Sequence, residues 1–317
     1  MGRSDLLRAR AGGAIGLSMA RYANAGAGLV SNVLLARALG PADYGFVIAV
    51  ISVNAAGVLI SEWSTEQHLL RLVSRGGLEA AQRRIASATR FRCVLGPIPS
   101  AVLMIGFLAS RPDIGGSQLL GAGFLVVSAT LGFSSLGPPI LLGAGHTTAF
   151  VVLNQMGGFL TSAAVACVAL LYPTVLAACA AFALAAVLTA GVQVVVCARH
   201  DVDLSPVRRS DASIPLLFKE LAPAAIAQGM LLAPWRLIPV VVAAAMAPVP
   251  AGQVLAGLRY WEQVAVPGVA VAQIQARQVA ASDGNEIEGA LHRSIQVLGL
   301  AVLAGIPISL AYVRFVL

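Results

Sequence analysis

The sequence predicts an all-α fold: a polytopic membrane helical bundle of about nine transmembrane helices, built as a two-lobe parallel repeat with the second lobe truncated. Three observations lead there. Of 317 residues, 58% are hydrophobic and 11% charged, with a mean hydropathy of +0.84, whereas soluble domains carry roughly a quarter charged residues. Apolar runs long enough to cross a bilayer follow one another along the whole chain. The basic residues collect in alternate connections between those runs, which is the positive-inside pattern.

The runs are 14 to 36, 44 to 65, 93 to 110, 119 to 142, 149 to 171, 174 to 197, 221 to 246, 251 to 274 and 295 to 317. Each holds 18 to 26 residues, enough to cross a hydrocarbon core of roughly 30 Å at about 1.5 Å rise per residue. The first two meet at LLARALGPADYGF, residues 34 to 46. Arg37 falls in a last turn, where the helix dipole favours a cation, and Gly40 suits the left-handed C-terminal position. Pro41 cannot continue the first helix but can open the second, and Asp43 suits the positive end of that helix. The stretch reads as a tight helical hairpin.

Charge placement sets the expected orientation. The N-terminal tail has Arg3, Arg8 and Arg10; the connection after the second run has Arg71, Arg75, Arg83, Arg84, Arg90 and Arg92. Arg199, Arg208, Arg209 and Lys219 follow the sixth run, and Arg277 and Arg293 the eighth, so 15 of 21 Lys and Arg share one side. Arg37, Arg111 and Arg314 hold the other. The N-terminus is therefore expected in the cytoplasm, and the net charge of +7 belongs to loops rather than to a nucleic-acid surface. The first run is too long for a signal peptide and holds Arg21 and Asn24, so it reads as a retained span. Cys93, Cys167, Cys179 and Cys197 lie in or at the ends of runs without a CxxC pair or a histidine cluster, and read as small packing residues.

An internal repeat emerges when residue i is compared with residue i+207: Pro41 maps to Pro248, Gly45 to Gly252, Gly77 to Gly284 and Glu79 to Glu286. Runs 1 to 3 fall on runs 7 to 9, so both halves enter the membrane from the same side, as in transporters whose halves rock about a central site. The lobes are expected at 1–205 and 206–317. The repeat calls for three more spans after Leu317; without them polar groups on runs 7 to 9 meet lipid, so the chain by itself is expected to be either unstable or completed by another copy or polypeptide.

LLARALGPADYG with its basic second connection, and AAAMAPVPAGQVLAGLRYWEQ followed by a charged loop, resemble the oligosaccharide flippases, or polysaccharide biosynthesis proteins, of the multidrug and oligosaccharidyl-lipid exporter superfamily. The resemblance covers essentially the whole chain, although its sharp motif is short. Relatives usually have twelve or more spans in two lobes, so the chain corresponds to a full first lobe and half of a second.

Ionisable residues in a bilayer cost at least a few kcal/mol, so they face a bundle interior or a watery cavity. Arg21, Glu62, Arg236, Arg259 and Glu262 qualify. On the first run, Arg21, Asn24, Gly28, Ser31 and Asn32 share one broad helical face. Asn54, Ser61, Glu62 and Thr65 repeat the arrangement on the second; Gln228, Trp235 and Arg236 mark the seventh, and Arg259, Glu262, Gln263 and Gln273 the eighth. The candidate cavity is thus lined by Arg21, Asn24, Asn32, Glu62, Gln228, Trp235, Arg236, Arg259 and Glu262. Structural readings stand beside the functional ones. Arg259 and Glu262, at i+3, form an ion pair within one helix; Arg21 snorkels to the headgroups; Trp235 anchors or packs; the Asn and Ser side chains bind helix to helix.

The resemblance implies a transporter of the bacterial inner membrane that moves an undecaprenyl-pyrophosphate-linked oligosaccharide outward by alternating access. Its charged phosphate suits the planar fork of arginine, with Arg21 and Arg236 the foremost candidates. The implied partners are the lipid-linked oligosaccharide, membrane lipids, and polysaccharide polymerase and glycosyltransferase machinery, with no nucleic acid. No cofactor, metal or catalytic constellation is expected: His68, His146, His200 and His292 stand near helix ends without repeated carboxylates or a Gly-rich phosphate loop. The alternatives are a multidrug, cation-coupled exporter of the same superfamily, a glycan-assembly enzyme or scaffold, and an inactive truncated product. Nine prolines, Pro97, Pro99, Pro138, Pro139, Pro223, Pro234, Pro239, Pro267 and Pro307, are expected to kink their spans.

Overall fold

The computed structural model describes residues 3–111, 114–204 and 214–258, with side chains from residue 20 onward except those of 214–217, 228 and 231–236. Its helices are α1 (Arg3–Glu62), α2 (Thr65–Leu95), α3 (Pro97–Ala109), α4 (Gly116–Ser128), a 3₁₀ run (Ala129–Leu136), α5 (Gly137–Gly143), α6 (Thr147–Leu171), α7 (Val175–Arg199) and α8 (Ile214–Ala245). A further helix runs from 248 to 258, the last described residue. Among the described residues five stretches are long and apolar enough to span a membrane: Ala20–Glu62, Thr65–Ala109, Gly116–Gly143, Thr147–Leu171 and Val175–Arg199. The molecule is an all-α, multi-pass membrane protein.

The hairpin expected in α1 is there, with one change of detail. Gly40 has φ 76° and ψ 167°, so its backbone lies in the extended positive-φ region open essentially to glycine alone, rather than in the left-handed helical well. Pro41 follows as the first residue of the second helical arm, within which Tyr44, Val47, Ile48 and Val50 are buried. That arm closes at Glu62, and Trp63 and Ser64 turn the chain with φ of 43° and 56°.

The basic stretch 66–92, expected as a loop, is helical. α2 bends at Gly77, with φ 78° and ψ 171°, and both arms are amphipathic: Leu69, Val73, Ala81, Ile85, Ala88 and Phe91 are buried while Arg71, Arg75 and Arg83 face outward. The charges hid the apolar stripe from a run-based reading. Likewise α8 is already helical at Ile214, where the described residues resume, ahead of 221, and the helix continues through Pro223, Pro234 and Pro239 to Ala245. Elsewhere the prolines act as foreseen. Pro97 follows the break between α2 and α3, and Pro138 and Pro139 follow the 3₁₀ run, because neither can donate to the carbonyls of Ser134 and Ser135 four residues back. The Gly137 N–H reaches Ser134 by tightening the turn instead. Pro267 and Pro307 lie outside the described residues.

Two apolar cores occupy opposite ends of the bundle. At the Gly40 end, Leu35, Ile48, Met104, Leu125, Val165, Ala178, Ala243 and Leu255 pack together; at the other, Leu69, Ile85, Phe91, Leu136, Leu153, Cys197 and Leu221 do. Small residues bring the helices close. A Cβ on Gly57 of α1 would meet the Ser100 nitrogen of α3 at 2.5 Å, and one on Gly121 of α4 would meet the Cys179 sulfur of α7 at 3.1 Å. Cys179 and Cys197 are buried and free, in keeping with the packing role expected of them.

Candidate functional site

α1 meets α6 along a polar seam. Arg21 is only 8% exposed, and one turn on, the Asn24 side-chain amide donates to Gln155 Oε1 at 3.4 Å. Gln155 is itself buried at 6%. The contact depends on Gly158, where any Cβ would collide with the Asn24 amide, while neighbouring Gly157 lies against Thr189 of α7. Adjacent glycines thus let α6 approach a helix on each side.

Depth along the helices is consistent across this pair. Asn24 lies 16 residues from the Gly40 turn and Gln155 lies 16 residues from the end of α6, each about 24 Å at about 1.5 Å per residue. Arg21 lies about 28 Å from the same turn by the same rise. It therefore sits toward the far edge of the apolar layer, enclosed by protein rather than extended into a headgroup region.

The rest of the α1 face does not join this seam. Asn32 donates from Nδ2 to the Gly28 carbonyl at 2.8 Å, and Ser31 donates to the same carbonyl at 3.0 Å. Both side chains bond back to their own helix in this way. Glu62, expected near the end of its run, is the last residue of α1 and accepts through its backbone carbonyl from Thr65 Oγ1 at 2.6 Å. The side chains of Gln228, Trp235 and Arg236 on α8, and all of Arg259 and Glu262, lie outside the described residues.

A second polar centre was assigned to a loop by the sequence reading. Arg92 is 1% exposed. Its Nε donates to Thr65 Oγ1 at 2.9 Å, Nη1 to the Gly132 carbonyl at 3.0 Å and to Ser135 Oγ, and Nη2 to Glu66 Oε1 at 3.3 Å. Ser135 also donates to Glu66 Oε1 at 2.9 Å. One guanidinium fork therefore ties both ends of α2 to the 3₁₀ run, where the Gly132 carbonyl accepts from Arg92 and, at 2.9 Å, from Ser135 Oγ. The available signal was Arg92 between Phe91 and Cys93, a cation bordering an apolar run. Its partner Glu66, 26 residues earlier, could not be found by spacing.

α8 is held at both ends. At the far end from Gly40, Trp63 stacks on Phe218 with ring centroids 4.1 Å apart and donates from Nε1 to the Phe218 carbonyl at 3.0 Å; Arg84 pairs with Glu220 at 3.0 Å. At the Gly40 end, Arg111 donates to the Ala243 carbonyl. A cavity of about 200 Å³ opens beside that contact, lined by Asp43, Phe46, Arg111, Gln118 and Pro248 among others, well away from Arg21 and Asn24. Among the described residues no group of three or more His, Cys, Asp or Glu is placed to hold a metal.

No protein-family model matches the sequence, and no curated protein does. Solved structures do. A MATE in complex with Br-NRF aligns with a TM-score of 0.65 and 18% identity over 93% of this chain and 76% of its own. A MATE in complex with MaL6 gives 0.66 and 16% over 96% and 73%. An outward-facing multidrug resistance MATE family transporter of the MOP superfamily gives 0.65 and 17% over 96% and 72%. The fold is that of the MATE transporters. The last of these solved structures is of the MOP superfamily; for this chain the likeness shows the fold.

Proposed function

We propose that the chain is an alternating-access membrane transporter that exports an amphipathic organic solute carrying an anionic group. The observation that carries this reading is the buried Arg21 on α1, one turn before Asn24, whose amide joins α1 to Gln155 of α6. A guanidinium held inside a membrane bundle favours an anionic group where solvation is poor, and the neighbouring amides supply directional hydrogen bonds. The fold likeness to MATE transporters, one of them a multidrug resistance transporter and another in complex with Br-NRF, favours a freely diffusing solute. It also favours transport over an enzymatic role.

The lipid-linked oligosaccharide flippase is the second reading. It draws on the same guanidinium, which suits a phosphate, and on the sequence motifs. Two assays separate the readings: efflux of anionic and zwitterionic fluorescent dyes from cells lacking their major exporters, and complementation of a flippase-deficient strain. Arg21→Ala and Asn24→Ala should reduce dye efflux at unchanged membrane abundance, with Arg21→Lys restoring part of it. Complementation without efflux would favour the lipid-linked substrate, and full activity of both alanine variants in both assays would refute the seam as a binding site.

A further inference from the structure

The internal repeat predicts more than two similar hairpins. Pro41 and Gly45 open one helix; their counterparts 207 positions on, Pro248 and Gly252, open the other. In the structure these two openings touch. A Cβ on Gly45 would lie 2.8 Å from the Gly252 Cα, 3.0 Å from its nitrogen and 3.4 Å from the Pro248 carbonyl oxygen, and a Cβ on Gly252 would land on the Pro41 carbonyl. Gly45 thus faces Pro248 while Gly252 faces Pro41. That exchange is the signature of a two-fold, self-complementary contact, in which each element meets the other through the same patch.

The second opening differs from the first in one respect, since Ala247 does not share the positive φ of Gly40. The Ala251 N–H donates to the Ala247 carbonyl at 3.0 Å to start the second, and Ala247 stands where Gly40 stands in the first. Gly45 and Gly252 are buried, and Ala243, Leu255 and Ala256 join the same apolar core as Tyr44 and Ile48. Backbone meets backbone here with no room for any side chain, although the surrounding positions carry large ones.

We propose that Gly45 and Gly252 form a latch: the contact by which the two repeat-related hairpins close the Gly40 end of the molecule, and which closes only when both residues are glycine. The latch's place in a transport cycle rests on the transporter reading above; the contact itself does not. Because an interface of packed backbones is bistable rather than compressible, a methyl group on either glycine should leave the two hairpins apart instead of slightly displaced.

The test uses the full chain in nanodiscs, with the four native cysteines replaced and spin labels at Ala38→Cys and Val249→Cys, both exposed positions beside the hairpins. Pulsed dipolar spectroscopy of the parent should give a dominant short-distance population. Gly252→Ala should shift that population to longer distance and Gly45→Ala should do so less, matching the severity of the two overlaps. Gly257→Ala, where a Cβ meets nothing within 4 Å, should keep the parent distance. If Gly252→Ala fails to yield folded protein by size exclusion, Gly45→Ala decides. A folded glycine variant with the parent's distances overturns the latch. Separation in the variants, with a parent that never opens at any pH, sodium level or added dye, supports the latch and counts against the transport reading.

Discussion

Replacing Arg92 with methionine should destabilise the protein severely, because one buried side chain near the end of α2 binds acceptors on two segments, the first turn of α2 and the 3₁₀ run. Methionine keeps most of the stem volume, so the loss is mainly polar. It removes one of two donors to the Gly132 carbonyl, bonded at 3.0 Å; Ser135 Oγ still donates there at 2.9 Å, so this loss costs about 0.5–1.5 kcal/mol. The bond to Thr65 Oγ1 at 2.9 Å is charge-assisted and contributes about 1.5–3 kcal/mol. The Glu66 pair adds little: its side chain is 35% exposed, so water can replace the guanidinium and the pair is discounted to about 1 kcal/mol or less. The sum is about 2–5.5 kcal/mol, overlapping the roughly 3–5 kcal/mol found when one partner of a buried charged network is removed. At about 2–4 °C per kcal/mol, the melting temperature should fall by on the order of 10 °C. Tryptophan fluorescence melts in one detergent at one scan rate measure it, since such proteins unfold irreversibly. Arg92→Lys should recover less than half, as a single ammonium cannot reach Thr65 and Gly132 together. A melt within about 2 °C of wild type for Arg92→Met would show that the fork does not hold the 3₁₀ run.

Three further outcomes are expected. Gly40→Ala should cost about 1–3 kcal/mol, because the backbone at φ 76° and ψ 167° is nearly closed to a residue with a Cβ; thermal melts check it, and an unchanged melting temperature would contradict the turn geometry. Phe218→Ala should destabilise more than Glu220→Gln, since it removes the stack on Trp63, whereas the Arg84–Glu220 pair is 32% and 38% exposed and contributes about 1 kcal/mol or less; the same melts at low and high salt should reveal salt sensitivity only for the ion pair. In a cysteine-free background, an impermeant maleimide on intact cells should label Ala42→Cys and spare Arg83→Cys, as the distribution of basic residues requires; the reverse pattern would invert the orientation.

Composition and periodicity alone determined that the chain is a helical membrane bundle, because a bilayer allows few solutions for a run of apolar residues and each leaves the same mark in sequence. The hairpin at Gly40 and Pro41 was equally legible, since local backbone sterics act within a few residues, and so was the repeat that relates Gly45 to Gly252. Amphipathic α2 was not legible as a helix: its arginines outweigh an apolar stripe that becomes visible only once Leu69, Val73, Ile85 and Phe91 find the core of the bundle. The site was divided in the same way. That Arg21 and Asn24 share a helical face follows from 3.6-residue periodicity, but their neighbour Gln155, 131 residues from Asn24, is chosen by packing. Asn32 lies on the same broad face, yet its donor is taken by the carbonyl of Gly28 four residues back, a choice that depends on rotamer. Arg92 is the sharpest case. Whether a cation at the edge of an apolar run reaches water or is buried depends on what lies across from it, and only the tertiary fold places Thr65, Glu66, Gly132 and Ser135 there.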